Sequence, residues 1–308
     1  MYAIKVENLK KSYDGVEVLR GLNIAVREGE FYCLMGPNGS GKTTLVSILA
    51  SVVLPTSGEV EIMGKSPDSD RGIIGYVPQM NFTSPALTGY ENLVYFARLL
   101  GHSKSSAGDL AGELIGKVGL EGDADKRVSN YSGGMRKRLE VATALFPGIR
   151  VLLLDEPTTG LDPSARRRFF GLIQEIKDRD TTIMLITHLG SDAELASRVG
   201  LIDSGSLIAE GDPASLKSSS GLENVINLET AAKPSGAVEA LRGFSEDGKV
   251  LETELGYRVY SRESEKKTPE IIRRLDEVGA KVLQVQATPP SLEDVFFKLT
   301  GRSVGEVE

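Results

Sequence analysis

The stretch that decides the fold is Glu30-Phe31-Tyr32-Cys33-Leu34-Met35-Gly36-Pro37-Asn38-Gly39-Ser40-Gly41-Lys42-Thr43-Thr44-Leu45. Its first part, residues 30–35, is a short apolar run ended by Gly36-Pro37, the pattern of a buried strand entering a loop. From about residue 41 the chain continues through Leu45, Val46, Ile48 and Leu49 as a helix. Between the two lies G-x-x-x-x-G-K-[ST] without a mismatch. Gly36, Gly39 and Gly41 let the backbone curl so that successive N–H groups face one concavity. The helix behind adds its positive dipole end, and together they hold phosphate oxygens. Lys42 places a point charge near the β- and γ-phosphates of a nucleotide, and the Thr43 hydroxyl can ligate Mg²⁺. The alternative, a chance glycine-rich turn, does not account for the Lys42-Thr43 pair between strand and helix. The loop alone does not say what the nucleotide is for.

Working outward, residues 151–154 are Val-Leu-Leu-Leu, too apolar for a strand with a wet face, and they end in Asp155-Glu156-Pro157. A second such strand spans residues 182–187. Both predict a central parallel sheet, whose ligands bind at the C-terminal ends of its strands. Asp155 at such an end can hold Mg²⁺ through its water shell. Glu156 alternates to the other side of the strand, where it can polarise or deprotonate an attacking water. Two acids merely ending a strand at the surface are the plain alternative, disfavoured by the phosphate loop in the same chain.

The first 30 residues are strand and turn, with Gly15, Gly21 and Gly29 as punctuation. Residues 90–146 are mostly helical, with Leu93, Phe96, Leu99 and Leu100 on one face. Residues 166–177 are another helix, and its Arg166-Arg167-Arg168 run is expected to be a solvated face. The chain carries 36 Lys+Arg against 43 Asp+Glu, net −7, a poor balance for gripping a nucleic acid backbone. A single cysteine and two histidines exclude an intramolecular disulfide framework and a Cys- or His-rich metal site. Cys33 is expected to be a small core residue and His102 to be exposed. No run approaches the roughly 18 apolar residues that would span a bilayer. The N-terminus has no secretory pattern, so attachment to a membrane would need another chain.

A second glycine-rich loop, Asn130-Tyr131-Ser132-Gly133-Gly134-Met135-Arg136, opens a further helix. Ser132 at a helix start with two glycines is another anion-binding nest. One compact chain has little use for two phosphate nests unless the second serves another chain's nucleotide, which predicts a face-to-face dimer.

With these motifs in this order, residues 1–220 closely resemble the nucleotide-binding subunit of an ATP-binding cassette (ABC) transporter. The resemblance implies an α/β P-loop core with a parallel sheet, an antiparallel β subdomain and a helical subdomain at about residues 90–147. It implies ATP and Mg²⁺ as ligands: Tyr13 stacked on adenine, and Gly36, Pro37, Asn38, Gly39, Ser40, Gly41, Lys42, Thr43 and Thr44 as the Walker A loop. Gln79, in Tyr76-Val77-Pro78-Gln79, matches the Q-loop glutamine that touches the metal and the water and senses the membrane partner. Thr43, Gln79 and Asp155 would hold the metal. Glu156 would be the base, and His188 the switch histidine on the γ-phosphate. Ser132, Gly133, Gly134 and Met135, with Asp162 of the D-loop, would act in trans across a dimer. Many members have Gln where this chain has Met135, so a polar contact of that side chain is lost. The resemblance places the chain on the cytoplasmic face of the cell membrane beside a separate polytopic permease and a second cassette, which is a paralogue or, as one intact copy of each motif favours, a second copy of this chain in a homodimer.

With three consecutive serines, residues 215–221 resemble a linker, and residues 222–308 change pattern. Strands at 225–228, 249–253, 257–260 and 281–287 alternate with helices at 236–241 and 268–278, the βαββαβ order of a small α+β ferredoxin-like domain. A last helix, 291–299, opens with Ser291 and Asp294 as a capping box. Residues 290–301 resemble the closing motif of ABC-2 type export ATPases, the branch that includes the daunorubicin-resistance class. The competing reading is a non-transport ABC ATPase acting on DNA or ribosomes, disfavoured by the acidic balance and the lack of a heptad run. A P-loop kinase or GTPase leaves Ser132-Gly133-Gly134 and His188 unexplained, and an importer leaves the C-terminal motif unexplained.

Overall fold

The computed structural model describes residues 1–177, 181–222, 224–245, 248–261 and 264–304. It opens with an antiparallel hairpin, β1 (Tyr2–Tyr13) and β2 (Val16–Arg27), then β3 (Phe31–Met35), α1 (Lys42–Leu49), β4 (Ser57–Ile62) and β5 (Ile74–Val77). Three helices follow, α2 (Gly89–Leu99), α3 (Lys104–Lys117) and α4 (Gly133–Thr143). Then come β6 (Val151–Asp155), α5 (Pro163–Lys177), β7 (Thr182–Thr187), the short α6 (Gly190–Ala193), β8 (Arg198–Asp203), β9 (Ser206–Gly211) and α7 (Pro213–Ser219). The remainder is β10 (Asn224–Thr230), α8 (Ala237–Arg242), β11 (Val250–Glu252), β12 (Gly256–Ser261), α9 (Ser264–Glu277), β13 (Val282–Thr288) and α10 (Leu292–Thr300).

The central sheet has the order β5-β6-β7-β3-β8-β9, parallel except for β9. β3, β6 and β7 are buried at every residue. Because side chains alternate across a strand, these three strands feed two cores. Cys33, Leu152, Leu154, Ile183 and Leu185 face α2–α5, whereas Tyr32, Leu34, Leu153, Met184 and Ile186 face α1 and the sheet β2-β1-β4. Cys33 is fully buried, as expected of a core residue, and burial raises its thiol pKa well above the usual value.

Register places the functional loops. Met35 pairs with Thr187, Asp155 with Ile186, and Val77 with Leu154. The C-terminal ends of β3, β5, β6 and β7 therefore lie side by side along one edge. From them emerge the phosphate loop, the segment with Gln79, the carboxylate pair and His188.

Several expectations need correction. Residues 215–221 are not a linker: Asp212 caps α7 by accepting from the Ser215 N–H, Pro213 sits at its first turn, and Leu216 is buried in the core. Leu93 is buried, but Leu99 and Leu100 at the end of α2 are 63% and 60% exposed, off the packed face. His102 is half-buried and stacks on Phe146 with ring centroids 6.1 Å apart.

In the C-terminal part, β10–β13 form an antiparallel sheet of order β11-β12-β10-β13. One face carries Ile226, Leu228 and Val259 against Leu241 of α8 and Ile271 and Leu275 of α9. On the other face Val225 and Tyr260 meet Phe297 of α10. The same α10 sends Leu292, Val295 and Phe296 into the core that contains Leu154 and Leu185. The last helix is thus shared between the two parts. Among the described residues no helix is long and apolar enough to cross a membrane.

Candidate functional site

The phosphate loop begins where β3 ends. The N–H of Gly36 donates to the Thr187 carbonyl of β7, which pins the loop to the neighbouring strand. Gly41 takes φ of 99° as the residue before α1, a left-handed conformation a side chain rarely adopts, and this releases the helix N-terminus toward the concavity. Lys42 is 4% exposed, and its ammonium curls back to donate to the carbonyls of Gly36 at 2.8 Å and Pro37 at 2.7 Å. Burial holds its pKa below the ordinary lysine value, opposed by the charges of Glu156 and Asp155. The Ser40 hydroxyl is buried in the loop without a partner among the described residues.

Asp155 and Glu156 diverge as expected, though not by strand alternation. β6 ends at Asp155, and Glu156 has φ of 45°, a left-handed conformation that costs ~1–3 kcal/mol for a residue with a side chain. Oδ1 of Asp155 accepts from the Thr43 hydroxyl at 3.3 Å, while Oδ2 is buried with no partner among the described residues. Burial raises the Asp155 pKa, and the Thr43 hydrogen bond opposes the rise. A hydroxyl and a carboxylate with a free oxygen are a donor set that a hard divalent cation takes. Among the described residues no cluster of three or more His, Cys, Asp or Glu could hold a metal, so further donors would come from phosphate and water.

Glu156 is the meeting point. Oε2 accepts from the Gln79 side-chain amide at 3.0 Å and from the Thr159 hydroxyl at 3.4 Å. Oε1 stands 3.3 Å from Nδ1 of His188, which is buried and has no hydrogen-bond partner among the described residues. Gln79, Glu156 and His188 therefore converge, with Lys42, Thr43 and Asp155 beside them. A carboxylate in contact with an imidazole, next to a cationic cradle, can orient water and move a proton.

Other expected residues lie apart. Ser132 and Gly133 are exposed, and the Ser132 hydroxyl caps α4 by accepting from the Met135 N–H at 3.2 Å. Among the described residues Ser132 makes no hydrogen bond to Lys42, Asp155, Glu156 or His188. Asp162 is exposed and caps α5 through the N–H groups of Ser164 and Ala165, which lower its pKa. Tyr13 is 42% exposed at the hairpin end under the Lys11 ammonium, 4.6 Å from its ring centroid.

Two sets of residues had no signal in the sequence. Asp192, fully buried, accepts from the Thr158 hydroxyl and pairs with Arg166, whose guanidinium also reaches Ser191 at 2.6 Å. Arg166 is thus not part of a solvated face, whereas Arg167 and Arg168 are exposed. Second, Arg136 of α4 donates to the Thr83 carbonyl at 2.8 Å, and buried Lys137 and Glu140 pair at 2.8 Å one turn on. The segment after Gln79 is thereby tied to the helix that Ser132 opens.

Residues 19–159 match the family model described as ABC transporter. Over nearly its whole length the chain is similar to many curated proteins, three of which illustrate the range. It is 36% identical to the daunorubicin/doxorubicin resistance ATP-binding protein DrrA of Streptomyces peucetius, covering 97% of this chain and 92% of that protein. It is 30% identical to the linearmycin resistance ATP-binding protein LnrL of Bacillus subtilis, covering 98% and 99%. It is 37% identical to the Nod factor export ATP-binding protein I of Burkholderia thailandensis, covering 98% of each. Among solved structures, a dimeric bacterial ABC transporter cassette, MJ0796, superposes with TM-score 0.62 at 29% identity over 68% of this chain and 98% of that one. The cbiO1 subunit from Clostridium perfringens, part of the cbiONQ transporter complex, gives TM-score 0.62 at 28% identity over 68% and 88%.

Proposed function

The chain belongs to the ATP-binding subunits of ABC transporters, in the ABC-2 type export branch, and on that premise we propose how its own residues hydrolyse ATP to drive export through a separate membrane protein. The observation that carries the reading is the Glu156 carboxylate, which gathers Gln79 and His188 beside Lys42 and the Thr43–Asp155 pair.

Lys42 exchanges the Gly36 and Pro37 carbonyls for phosphate oxygens, and Tyr13 supports the base. Thr43, Asp155 and Gln79 are the residues that would hold Mg²⁺, and the unpartnered Asp155 oxygen supports that fit. The bound ion would neutralise charge on the β- and γ-phosphate oxygens. Gln79, which donates to Glu156 here, would release that carboxylate if it held the ion instead, and Glu156 is the group that takes a proton from the attacking water. His188, with an unused ring nitrogen, and Lys42 stabilise charge on the transferred phosphoryl group. Ser132, Gly133 and Gly134 of a second cassette close over the γ-phosphate. Motion then passes through the Gln79 segment, Thr83 and Arg136 to the membrane partner on the cytoplasmic face.

Residues 222–308 are read as an accessory domain, a ferredoxin-like split βαβ unit in its strand order, which regulates or stabilises the dimer. The membrane chain chooses the substrate.

Glu156→Gln should bind ATP at wild-type affinity, abolish hydrolysis and leave a long-lived dimer visible by size exclusion. Hydrolysis at the wild-type rate would remove Glu156 as the base. The same variant, locked with ATP, serves as bait in detergent-solubilised host membranes. A polytopic membrane protein at near-equal stoichiometry supports export, whereas ribosomal proteins or DNA-repair factors instead would overturn it in favour of a soluble mechanical ATPase.

A further inference from the structure

The turn that carries His188 is gripped from outside the nucleotide-binding core. Two residues past the histidine, the Gly190 N–H donates to Oε1 of Glu293 at 2.6 Å, across 103 positions of sequence. Gly190 opens α6, so this N–H is one of the donors a helix start leaves without an intrahelical acceptor. A carboxylate is the strongest side-chain acceptor available for it. A methyl group at position 190 would collide with the same carboxylate. Glycine is therefore what lets Glu293 close onto the turn, and each residue accounts for the other.

The next residue along α10 turns to the C-terminal sheet instead. Asp294, 3% exposed, accepts from the Tyr260 hydroxyl at 3.1 Å and from Arg258 at 3.2 Å, both on β12. Its other oxygen accepts from the Ser291 N–H at 2.8 Å in the capping box that starts the helix. The capping box fixes the rotation of α10, the Tyr260–Phe297 stack at 5.4 Å holds it to the C-terminal sheet, and Leu292 and Phe296 hold it in the ATPase core. Glu293 is thus fixed by its neighbours rather than by its own long side chain. At the other end of the link, the His188 ring has no hydrogen bond at Nδ1. Beside the 3.3 Å approach of Glu156, what holds the ring in place is the backbone of its turn: the Leu189 N–H on the Thr187 hydroxyl at 3.0 Å, and the Gly190 N–H on Glu293.

We propose that Glu293 is a positioning residue for ATP hydrolysis: it fixes the turn that presents His188 to the γ-phosphate and ties that turn, through α10, to the C-terminal sheet. The proposal rests on the reading of His188 given above. Freed from Glu293, the turn relaxes and the imidazole leaves its hydrolytic position, while the phosphate loop that binds ATP is untouched. Misplacement on the ångström scale is enough to lower turnover by 10-fold or more.

The test uses the full chain and steady-state ATPase kinetics, with ATP binding and thermal denaturation in parallel. Glu293→Ala should lower kcat by about 10-fold and leave KM for ATP within about twofold. Glu293→Gln, which keeps an acceptor oxygen, should recover most of the loss. In a His188→Ala background, Glu293→Ala should cost nothing further, because both act through one group. Wild-type turnover in Glu293→Ala, no recovery with Gln, or an equal loss on top of His188→Ala would each overturn the proposal. If Glu293→Ala does not fold, Gly190→Ala carries the test, since alanine is at ease in a helix and only the Glu293 contact is disturbed; there too, wild-type turnover would overturn it. Wild-type turnover in His188→Ala would sink the switch reading itself. An impaired His188→Ala beside an unimpaired Glu293→Ala would sink only the role of Glu293.

Discussion

Oδ1 of Asp155 accepts a hydrogen bond from the Thr43 hydroxyl at 3.3 Å, and the other oxygen of the same carboxylate is buried with no partner. An unpaired buried acceptor is a standing penalty on the folded state. Here it sits between the end of β6 and the start of α1, where the catalytic reading needs an oxygen held in reserve.

Replacing Asp155 separates the penalty from the function. Burial raises its folded-state pKa, so the ionised form is disfavoured in the folded chain, and the penalty is present wherever pH lies above the ordinary carboxylate value of 3.8. Asp155→Asn should therefore raise the Tm of the nucleotide-free protein at pH 7, by an amount that shrinks as pH falls toward that value. It should also lose most of the Tm gain that Mg²⁺ with ATP gives the wild type. Differential scanning fluorimetry with and without Mg²⁺–ATP measures both; a lower nucleotide-free Tm, or an intact gain, would contradict the assignment.

Lys42 gives a cleaner loss. Its ammonium makes two hydrogen bonds to neutral loop carbonyls, and on nucleotide binding it exchanges them for stronger ones to charged phosphate oxygens. At about 1.5–3 kcal/mol for such a bond, Lys42→Met should weaken ATP binding by roughly 10- to 150-fold. The fold should persist, because a methionine fills the same buried volume. Isothermal titration at fixed salt reads the affinity, and a change below threefold would exclude Lys42 from phosphate contact.

What was legible in the sequence is what depends on neighbours in the chain. The phosphate loop, the strand ending in Asp155-Glu156 and the Ser291–Asp294 capping box are local patterns, and each is found in place. The local pattern misled where one residue type serves two ends. Ser218, Ser219 and Ser220 look like a flexible linker, yet their hydroxyls bond back to carbonyls three residues earlier, and buried Leu216 anchors the turn. Arg166 reads as one of three solvated arginines, and only the position of α6 reveals the buried Asp192 beside it. The Gly190–Glu293 contact has no local signature at all, because it depends on how α10 returns to the core.

Arg166 carries a stability prediction for that reason. Asp192 is fully buried, and burial raises its pKa despite hydrogen bonds from Thr158, Arg166 and Thr187. Arg166→Ala leaves an ionised carboxylate without its cation and should destabilise the chain by ~3–5 kcal/mol at pH 7. The loss should diminish as pH falls and Asp192 takes up a proton. Urea denaturation at pH 7 and pH 5 tests this; a loss below about 1 kcal/mol at pH 7 would show that the pair is dispensable.

Ser132 offers the sharpest test of the dimer. It is exposed and, among the described residues, its hydroxyl serves only its own helix start, whereas Lys42, Asp155, Glu156 and His188 are gathered within the chain. If each ATP lies between the phosphate loop of one cassette and Ser132 of the other, damage to the two motifs falls on different sites when it is carried by different chains. Ser132→Arg and Lys42→Met should each be inactive alone, since every site in either homodimer then holds one defect. In a mixed dimer, one site combines the intact Lys42 of the first chain with the intact Ser132 of the second, while the other site carries both defects. Mixing the two purified variants in equal amounts should therefore restore hydrolysis, to at most about a quarter of the wild-type rate if half the dimers are mixed and each keeps one working site acting independently. Chemical cross-linking of differently tagged chains confirms that mixed dimers form. Mixed dimers without any recovery would mean that Ser132 acts within its own chain or that hydrolysis needs both sites intact; the second case is separated from the first by mixing wild type with Lys42→Met in equal amounts, which would leave about a quarter of the wild-type rate, from wild-type homodimers alone, if both sites are needed and about half if each site acts independently.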